Sequence, residues 1–250
     1  MAKHDVVHCV RRDFLRLAGG GAVLLAAAPF AAFAASTPSA ASLKIATIGA
    51  GHIGSTLGSM WVKAGHQVMF SSRHPEELKA LVEGLGPSAH AGTVAEAVAF
   101  GDAILLAVPY SALPAIGHDF GAQLAAKALI LDASNPIPAR DGEIATKARE
   151  MGAGLYTAQL LPGAHIVRAF NAIGYGKLQA DANRAGERVG VPMAGDDAAA
   201  LALASDLVRE IGFDPVVIGG TAAGKYLIPG TALGGEHTAA EIKAIAATLN

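Results

Sequence analysis

Three groups of residues in this chain have types and spacings that could do chemistry. The first is Gly49-Ala50-Gly51-His52-Ile53-Gly54, which directly follows an apolar run and opens a helix-like segment. Glycines spaced G-x-G-x-x-G in that context serve a dinucleotide. The first permits a tight turn, the second lets the backbone approach a pyrophosphate, and the third lets helix pack on strand, while free amides at the helix N-terminus face the anion. Gly49, Gly51, His52, Ile53 and Gly54 are therefore the expected phosphate-binding residues. The second group is Ser71-Ser72-Arg73, at the end of the next apolar run. NAD binders usually place Asp or Glu there to hydrogen-bond the ribose 2′-hydroxyl. This chain has no acid at that point, and an arginine beside hydroxyl donors can pair with a 2′-phosphate through charge-assisted bonds. The expected cofactor is NADP(H), held by Ser71, Ser72 and Arg73; the plainer alternative makes Arg73 a solvated surface charge. His74 either lies over the adenine or faces solvent.

The third group is Val108-Pro109, Asn135-Pro136 and Asn171, each just after a strand-like run. Open α/β sheets bind ligands outside the carboxyl ends of their strands. Val108, Pro109 and Asn135 are assigned to the cofactor on that ground, although the two prolines could equally do no more than end their strands. Asn171 either points into the same crevice or caps a buried loop. The nine histidines show no pair at metal-ligand spacing on a helix, and Cys9 is the only cysteine, so neither a metal site nor an intrachain disulfide is expected.

Positioning these groups requires strands that end together, and the chain has the pattern for it. Strand-length apolar runs at 43–48, 67–70, 102–108, 128–132 and 164–170, with a short one near 88–91, alternate with amphipathic segments. That alternation predicts an α/β fold, a Rossmann-type, doubly wound, mostly parallel sheet covered on both faces. Helix punctuation agrees with it. The segment 53–64 stops at Gly65, the segment 75–85 has Pro at its first turn and Gly86 after it, and Thr93-Val94-Ala95-Glu96 reads as a capping box. After Phe170 the rhythm loosens, then resumes as strand 189–194, helix 197–211 and strand 214–218. The expected organisation is an NADP-binding Rossmann domain over 43–170 and a smaller C-terminal α/β part over 171–250, packed on the sheet edge and completing the substrate pocket.

With 19 basic against 21 acidic residues and 52% hydrophobic content, the chain can bury a large core and has no footprint for nucleic acid. Its basic residues gather only near the start, where Val10-Arg11-Arg12-Asp13-Phe14-Leu15-Arg16 precedes a Gly- and Ala-rich apolar run and then Ala32-Phe33-Ala34. That order predicts an export signal over 1–34, and the adjacent arginines resemble a bacterial twin-arginine address; a membrane-anchoring helix is the alternative. Residues 35–42 read as a flexible lead-in. The expected location is periplasmic or otherwise exported, with the twin-arginine translocase as a partner during export. Removing 1–34 takes four basic and two acidic residues, leaving 15 basic and 19 acidic.

Taken together, Gly49 to Gly54, Ser72-Arg73-His74-Pro75, the stretch Leu161-Pro162-Gly163-Ala164-His165-Ile166-Val167-Arg168-Ala169-Phe170-Asn171, and Met193-Ala194-Gly195-Asp196-Asp197 resemble two related groups. These are the coenzyme F420-dependent NADP oxidoreductases and the cytoplasmic domains of the STEAP ferric reductases. The resemblance runs from Leu43 to about Leu233. It implies hydride transfer between NADPH and a flavin or deazaflavin such as F420, with the cofactor phosphate on Ser72 and Arg73. Such a reaction needs two rings stacked at close range more than it needs an acid or base. By the same analogy Asn171, Ala172 and Ile173 belong to the ring-stacking pocket, and a homodimer is expected. Two departures stand out. STEAP proteins continue into haem-binding membrane helices, whereas nothing after residue 42 is long and apolar enough to span a bilayer, and the F420 enzymes are typically cytoplasmic. A non-catalytic, exported NADP-binding module therefore stays open as an alternative. A β-hydroxyacid-type dehydrogenase is disfavoured by the short segment after Phe170, and no tyrosine has lysine four residues on, as a short-chain dehydrogenase needs.

Overall fold

The computed structural model describes residues 42–249; the signal-like segment 1–34 and all of the lead-in except Ser42 lie outside the described residues. Eight strands form one sheet: β1 (Lys44–Ile48), β2 (Gln67–Ser71), β3 (Ala89–Gly92), β4 (Ala103–Leu106), β5 (Leu129–Asp132), β6 (Ile166–Arg168), β7 (Gly190–Gly195) and β8 (Asp214–Gly219). Their order is β3-β2-β1-β4-β5-β6-β7-β8, and every neighbouring pair is parallel except β6 with β7. The helices are α1 (His52–Lys63), α2 (Lys79–Leu85), α3 (Val94–Phe100), α4 (Leu113–Ala125), α5 (Pro138–Asp141), α6 (Glu143–Met151), α7 (Ala153–Leu160), α8 (Tyr175–Asp181), α9 (Ala198–Glu210) and α10 (Ala239–Ala246).

The central strands are buried on both faces, which is why they read as continuous apolar runs. Successive residues alternate between two cores. Ile45, Leu105, Leu129 and Leu131 face a core closed by Leu57 and Trp61 of α1 and by Ala204 and Leu207 of α9. Ala46, Ile48, Ile104, Leu106 and Ile130 face the other, closed by Val98 of α3, by Leu113, Ile116 and Leu124 of α4, and by Ala148 of α6. This is the α/β, Rossmann-type, doubly wound sheet that the alternation predicts. The chain steps outward from β1 through β2 to β3, then crosses back to β4 on the other side of β1, so the switch point lies between β1 and β4, and the crevice beyond their carboxyl ends is the place for a ligand.

Several boundaries move from the predicted ones, each for a local reason. Strand β6 stops at Arg168, short of Phe170, because Phe170 takes a left-handed backbone with φ 63° that no strand accommodates. Its start slips to Ile166 because Ala164 closes a turn on the Leu161 carbonyl after Pro162-Gly163. The predicted helix 75–85 divides into a 3-10 turn at Pro75–Leu78 and α2. The capping box forms as read, with Thr93 and Glu96 bonded reciprocally. The residues after 170 extend the sheet rather than forming a body apart: β7 pairs with β6 through Val167↔Gly195 and Arg168↔Ala194, and β8 follows in parallel. Among the described residues no helix is long and apolar enough to cross a membrane.

Candidate functional site

The glycine turn sits where β1 ends, and its three glycines have three separate reasons. Gly49 has φ +94°, and a Cβ there would stand 2.5 Å from the Ala107 carbonyl oxygen, so the turn fits only glycine against the end of β4. A Cβ on Gly54 would lie inside the Gly49 carbonyl oxygen, which fixes the close approach of α1 to the turn. Gly51 is different. Nothing lies within 4 Å of its missing Cβ, so no packing demands glycine, and the open space is the cradle a pyrophosphate would fill. The start of α1 supports the same reading. Its N-cap is Gly51, with no side-chain cap and no acid in the first turn. The uncapped amides of α1 are left for an anion.

A cavity of about 880 Å³ opens from this turn toward the end of β2 and is lined by Gly49, Gly51, Ser71, Ser72, Arg73, Val108 and Pro109 among others. Ser71 reaches the wall, but its buried hydroxyl donates to the Thr47 carbonyl at 2.8 Å and is committed to the sheet. The Ser72 hydroxyl accepts from the His74 amide at 3.1 Å, which leaves its own proton for a ligand. Arg73 makes no ion pair with another described residue. Ser72 and Arg73 are thus the pair free to hold a 2′-phosphate. His74 points to solvent, 64% exposed and 3.4 Å from the Glu76 carboxylate. Glu77 and Asp119 also line this cavity. Sequence reading missed both, because the 3-10 turn at Pro75–Leu78 and α4 bring them there and no spacing signals it.

A second cavity, about 450 Å³, shares the wall Ala107-Val108-Pro109 with the first. It is lined by His52, Ile53, Asn135, Asn171, Ala172 and Ile173, so the remaining predicted site residues converge here. It also takes in Ile137, Arg140, Phe170, Tyr175 and Pro229, which sequence reading did not assign. The His52 ring lies on Tyr175, centroids 4.2 Å apart and planes 9° apart, joining the start of α1 to the start of α8. Asn171 is both a lining residue and a tie to the neighbouring loop. It lines the cavity, and its Nδ2 donates to the Ser134 carbonyl at 3.1 Å, while Asn135 Nδ2 donates to the Asn171 carbonyl at 2.9 Å. Pro136 lines neither cavity; its carbonyl accepts from Arg149 Nη1 at 3.2 Å.

Beneath this floor lies a fully buried ion pair, Arg168 Nη1 to Asp132 Oδ2 at 2.5 Å. Asp132 also accepts from the Ser134 hydroxyl and from Thr157 Oγ1, and Arg168 Nη2 donates to the Ser134 carbonyl at 3.1 Å. Tyr110 completes the network by bonding Thr157 Oγ1 and the Ala153 carbonyl, both at 2.9 Å. Burial, and after it the charge of Asp132, push the Tyr110 phenol above its ordinary range. A neutral tyrosine and a paired charge at this depth hold the 132–135 loop still rather than exchange protons with a ligand. Among the described residues no three His, Cys, Asp or Glu come together to hold a metal.

A switch-point crevice with an open pyrophosphate cradle, and an arginine in place of the ribose-binding acid, make a Rossmann-type dinucleotide site suited to NADP(H). Residues 44–136 match the model of the family described as NADP oxidoreductase coenzyme F420-dependent. Metalloreductase STEAP3 of Rattus norvegicus is 32% identical over 188 residues, which is 73% of this chain and 35% of that protein. The chain thus spans about a third of the length of that curated relative. Among solved structures, a hypothetical protein of Sinorhizobium meliloti superposes with a TM-score of 0.64 at 28% identity, covering 77% of this chain and 93% of that one. A candidate F420-dependent NADP-reductase of Arthrobacter sp. gives 0.62 at 21%, covering 74% and 88%. The 3-hydroxyisobutyrate dehydrogenase of Mycobacterium tuberculosis gives 0.54 at 21%, covering 74% of this chain but only 57% of that protein. The last two likenesses are of fold.

Proposed function

We propose that this protein transfers a hydride between NADPH and a flavin or deazaflavin acceptor. The observation that carries the reading is the wall Ala107-Val108-Pro109, which belongs to both cavities, so that a ring seated against it from the dinucleotide side adjoins a second chamber. NADPH supplies the hydride; the acceptor ring takes the two electrons with that hydrogen and a proton from solvent, so no protein base is consumed. The chain's part is placement. Gly51 and the amides of α1 receive the pyrophosphate, Ser72 and Arg73 the 2′-phosphate, and the Asn135–Asn171 brace keeps the floor of the second chamber in place, which is where proximity yields rate. The two chambers meeting at one wall favour stacked-ring chemistry.

The test is to mix the purified protein with NADPH and, separately, riboflavin, FMN, FAD and F420, following NADPH absorbance. Oxidation with at least one acceptor is expected. Nucleotide binding without oxidation by any of them would replace this reading with a cofactor-holding module. We further propose that the segment 1–34 directs export of the folded protein with NADP(H) bound. Fractionation should then find the protein outside the cytoplasm, and Arg11→Lys with Arg12→Lys should retain it inside.

A further inference from the structure

Within the hydride-transfer reading, on which this step rests, we infer that the second chamber selects acceptors carrying an anionic group such as a phosphate, and that Arg140 recognises it. The walls of the chamber are mostly apolar, built from Val108, Phe170, Ile173 and Pro229 among others with His52, Asn135 and Asn171 as polar points, and no carboxylate lines it. Arg140 is its one lining residue with a permanent charge. A chamber of about 450 Å³ with apolar sides suits a planar ring. A charged chain attached to that ring would stay at the mouth, and there the Arg140 side chain is 43% exposed.

The guanidinium is held out at the rim by a fixed frame. Its Nε and Nη2 donate to Asp141 at 3.1 and 2.8 Å, and Nη2 also donates to the Asn135 carbonyl at 2.8 Å. Nη1 takes no part in these bonds. The Asp141 carboxylate is fully buried and accepts in addition from the amides of Ile137 and Ser111 and from the Ser111 hydroxyl. It is therefore a buried anchor shared among five donors, not an exposed counterion competing at the rim. An arginine held this way presents the two N–H groups of Nη1 from a fixed position, donors suited to one phosphate oxygen or two. The competing role, a staple that only fastens the 135–141 loop through the Asn135 carbonyl, would act on every acceptor alike.

FMN and riboflavin share one ring and differ by a phosphate, so they separate the two roles. With NADPH as donor, the wild-type protein should show a KM for FMN about tenfold below that for riboflavin, and raised salt should weaken FMN alone. Arg140→Gln should raise the FMN KM about tenfold, move riboflavin less than twofold and leave kcat near its original value. Arg140→Lys, which keeps the charge but not the Nη1 donors fixed by the bonds to Asp141 and Asn135, should fall between. Riboflavin turnover in the same variant serves as the control for folding. Equal KM values for the two flavins in the wild type, or a change of the same factor for both in Arg140→Gln, would overturn the inference and leave Arg140 a staple. If neither flavin is reduced or bound by the wild type, the hydride-transfer reading itself falls, and this step with it.

Discussion

At the scale of single residues, Gly51 and Gly54 look interchangeable in sequence and are opposites in structure. Gly51 has φ −71° and open space around its missing Cβ, so alanine fits the backbone and meets no protein atom. Gly51→Ala should leave stability within about 0.5 kcal/mol of wild type, as surface substitutions do. Yet it should weaken NADPH binding at least tenfold, because the methyl group takes the pyrophosphate's place. Gly54→Ala drives its methyl into the Gly49 carbonyl and should cost roughly 1–3 kcal/mol of stability as well as affinity. Denaturant melts with and without NADPH check both variants; a Gly51→Ala protein that binds normally would remove the pyrophosphate from this turn. Arg73 carries a third expectation. Arg73→Ala should raise the NADPH Kd about 10- to 100-fold and leave NADH within about twofold, since only the former has a 2′-phosphate to lose. Equal changes would make Arg73 a surface charge.

At the scale of elements, what could be read in advance was what chemistry makes local. The glycine turn, the capping box at Thr93, the end of β2 at Ser71-Ser72-Arg73 and the burial of β1, β4 and β5 all follow from neighbours in sequence, and their spacing signals them. The residues that complete the second chamber do not. Arg140 and Ile137 lie in or beside the one-turn helix α5, Tyr175 opens α8, and Pro229 comes from a loop after β8; only the crossings of the sheet bring them together. Helices α4 and α7 give no clean stripe, being mixed Ala, Gly and Leu, and α5 is a single turn, whereas α6 carries an amphipathic pattern that sequence reading left unassigned. The loop bearing Arg140 also has an acid dependence. Burial raises the Asp141 carboxyl, but the bonds from Arg140, Ile137 and Ser111 outweigh it and hold the group below the ordinary 3.8. A depressed native pKa means stabilisation that is present above the unfolded value and lost as pH falls through the native one. Asp141→Asn should therefore destabilise the protein by roughly 1–3 kcal/mol at neutral pH. The gap to wild type should close as pH drops below about 4, and denaturant midpoints across that range would show a constant gap if Asp141 were protonated throughout.

At the scale of the whole molecule, the predicted division at 170/171 falls in the middle of a continuous structure. Trp61, the chain's only tryptophan, is buried in α1 and donates from Nε1 to the Leu207 carbonyl of α9 at 3.0 Å. Its ring meets Phe170 edge-on at 6.5 Å, and Phe170 meets Phe213 in the same manner at 6.2 Å. One core thus binds the nucleotide-facing helix to the last third of the chain, and the described residues fall in one compact unit. Such a body should unfold in a single step, with tryptophan fluorescence and far-ultraviolet circular dichroism reporting the same midpoint. A ligand held only by the native state adds about 2.7 kcal/mol at 100 times its Kd. For a chain of this size that is roughly 5–10 °C in Tm. Because Trp61 ties α1, whose first turn opens at the crevice, to Phe170 and α9, NADPH should move both signals upward together by that amount. A first transition that shifts with NADPH while a second stays fixed would show that the strands after Phe170 fold on their own, and that the antiparallel junction of β6 with β7 is a seam between two bodies.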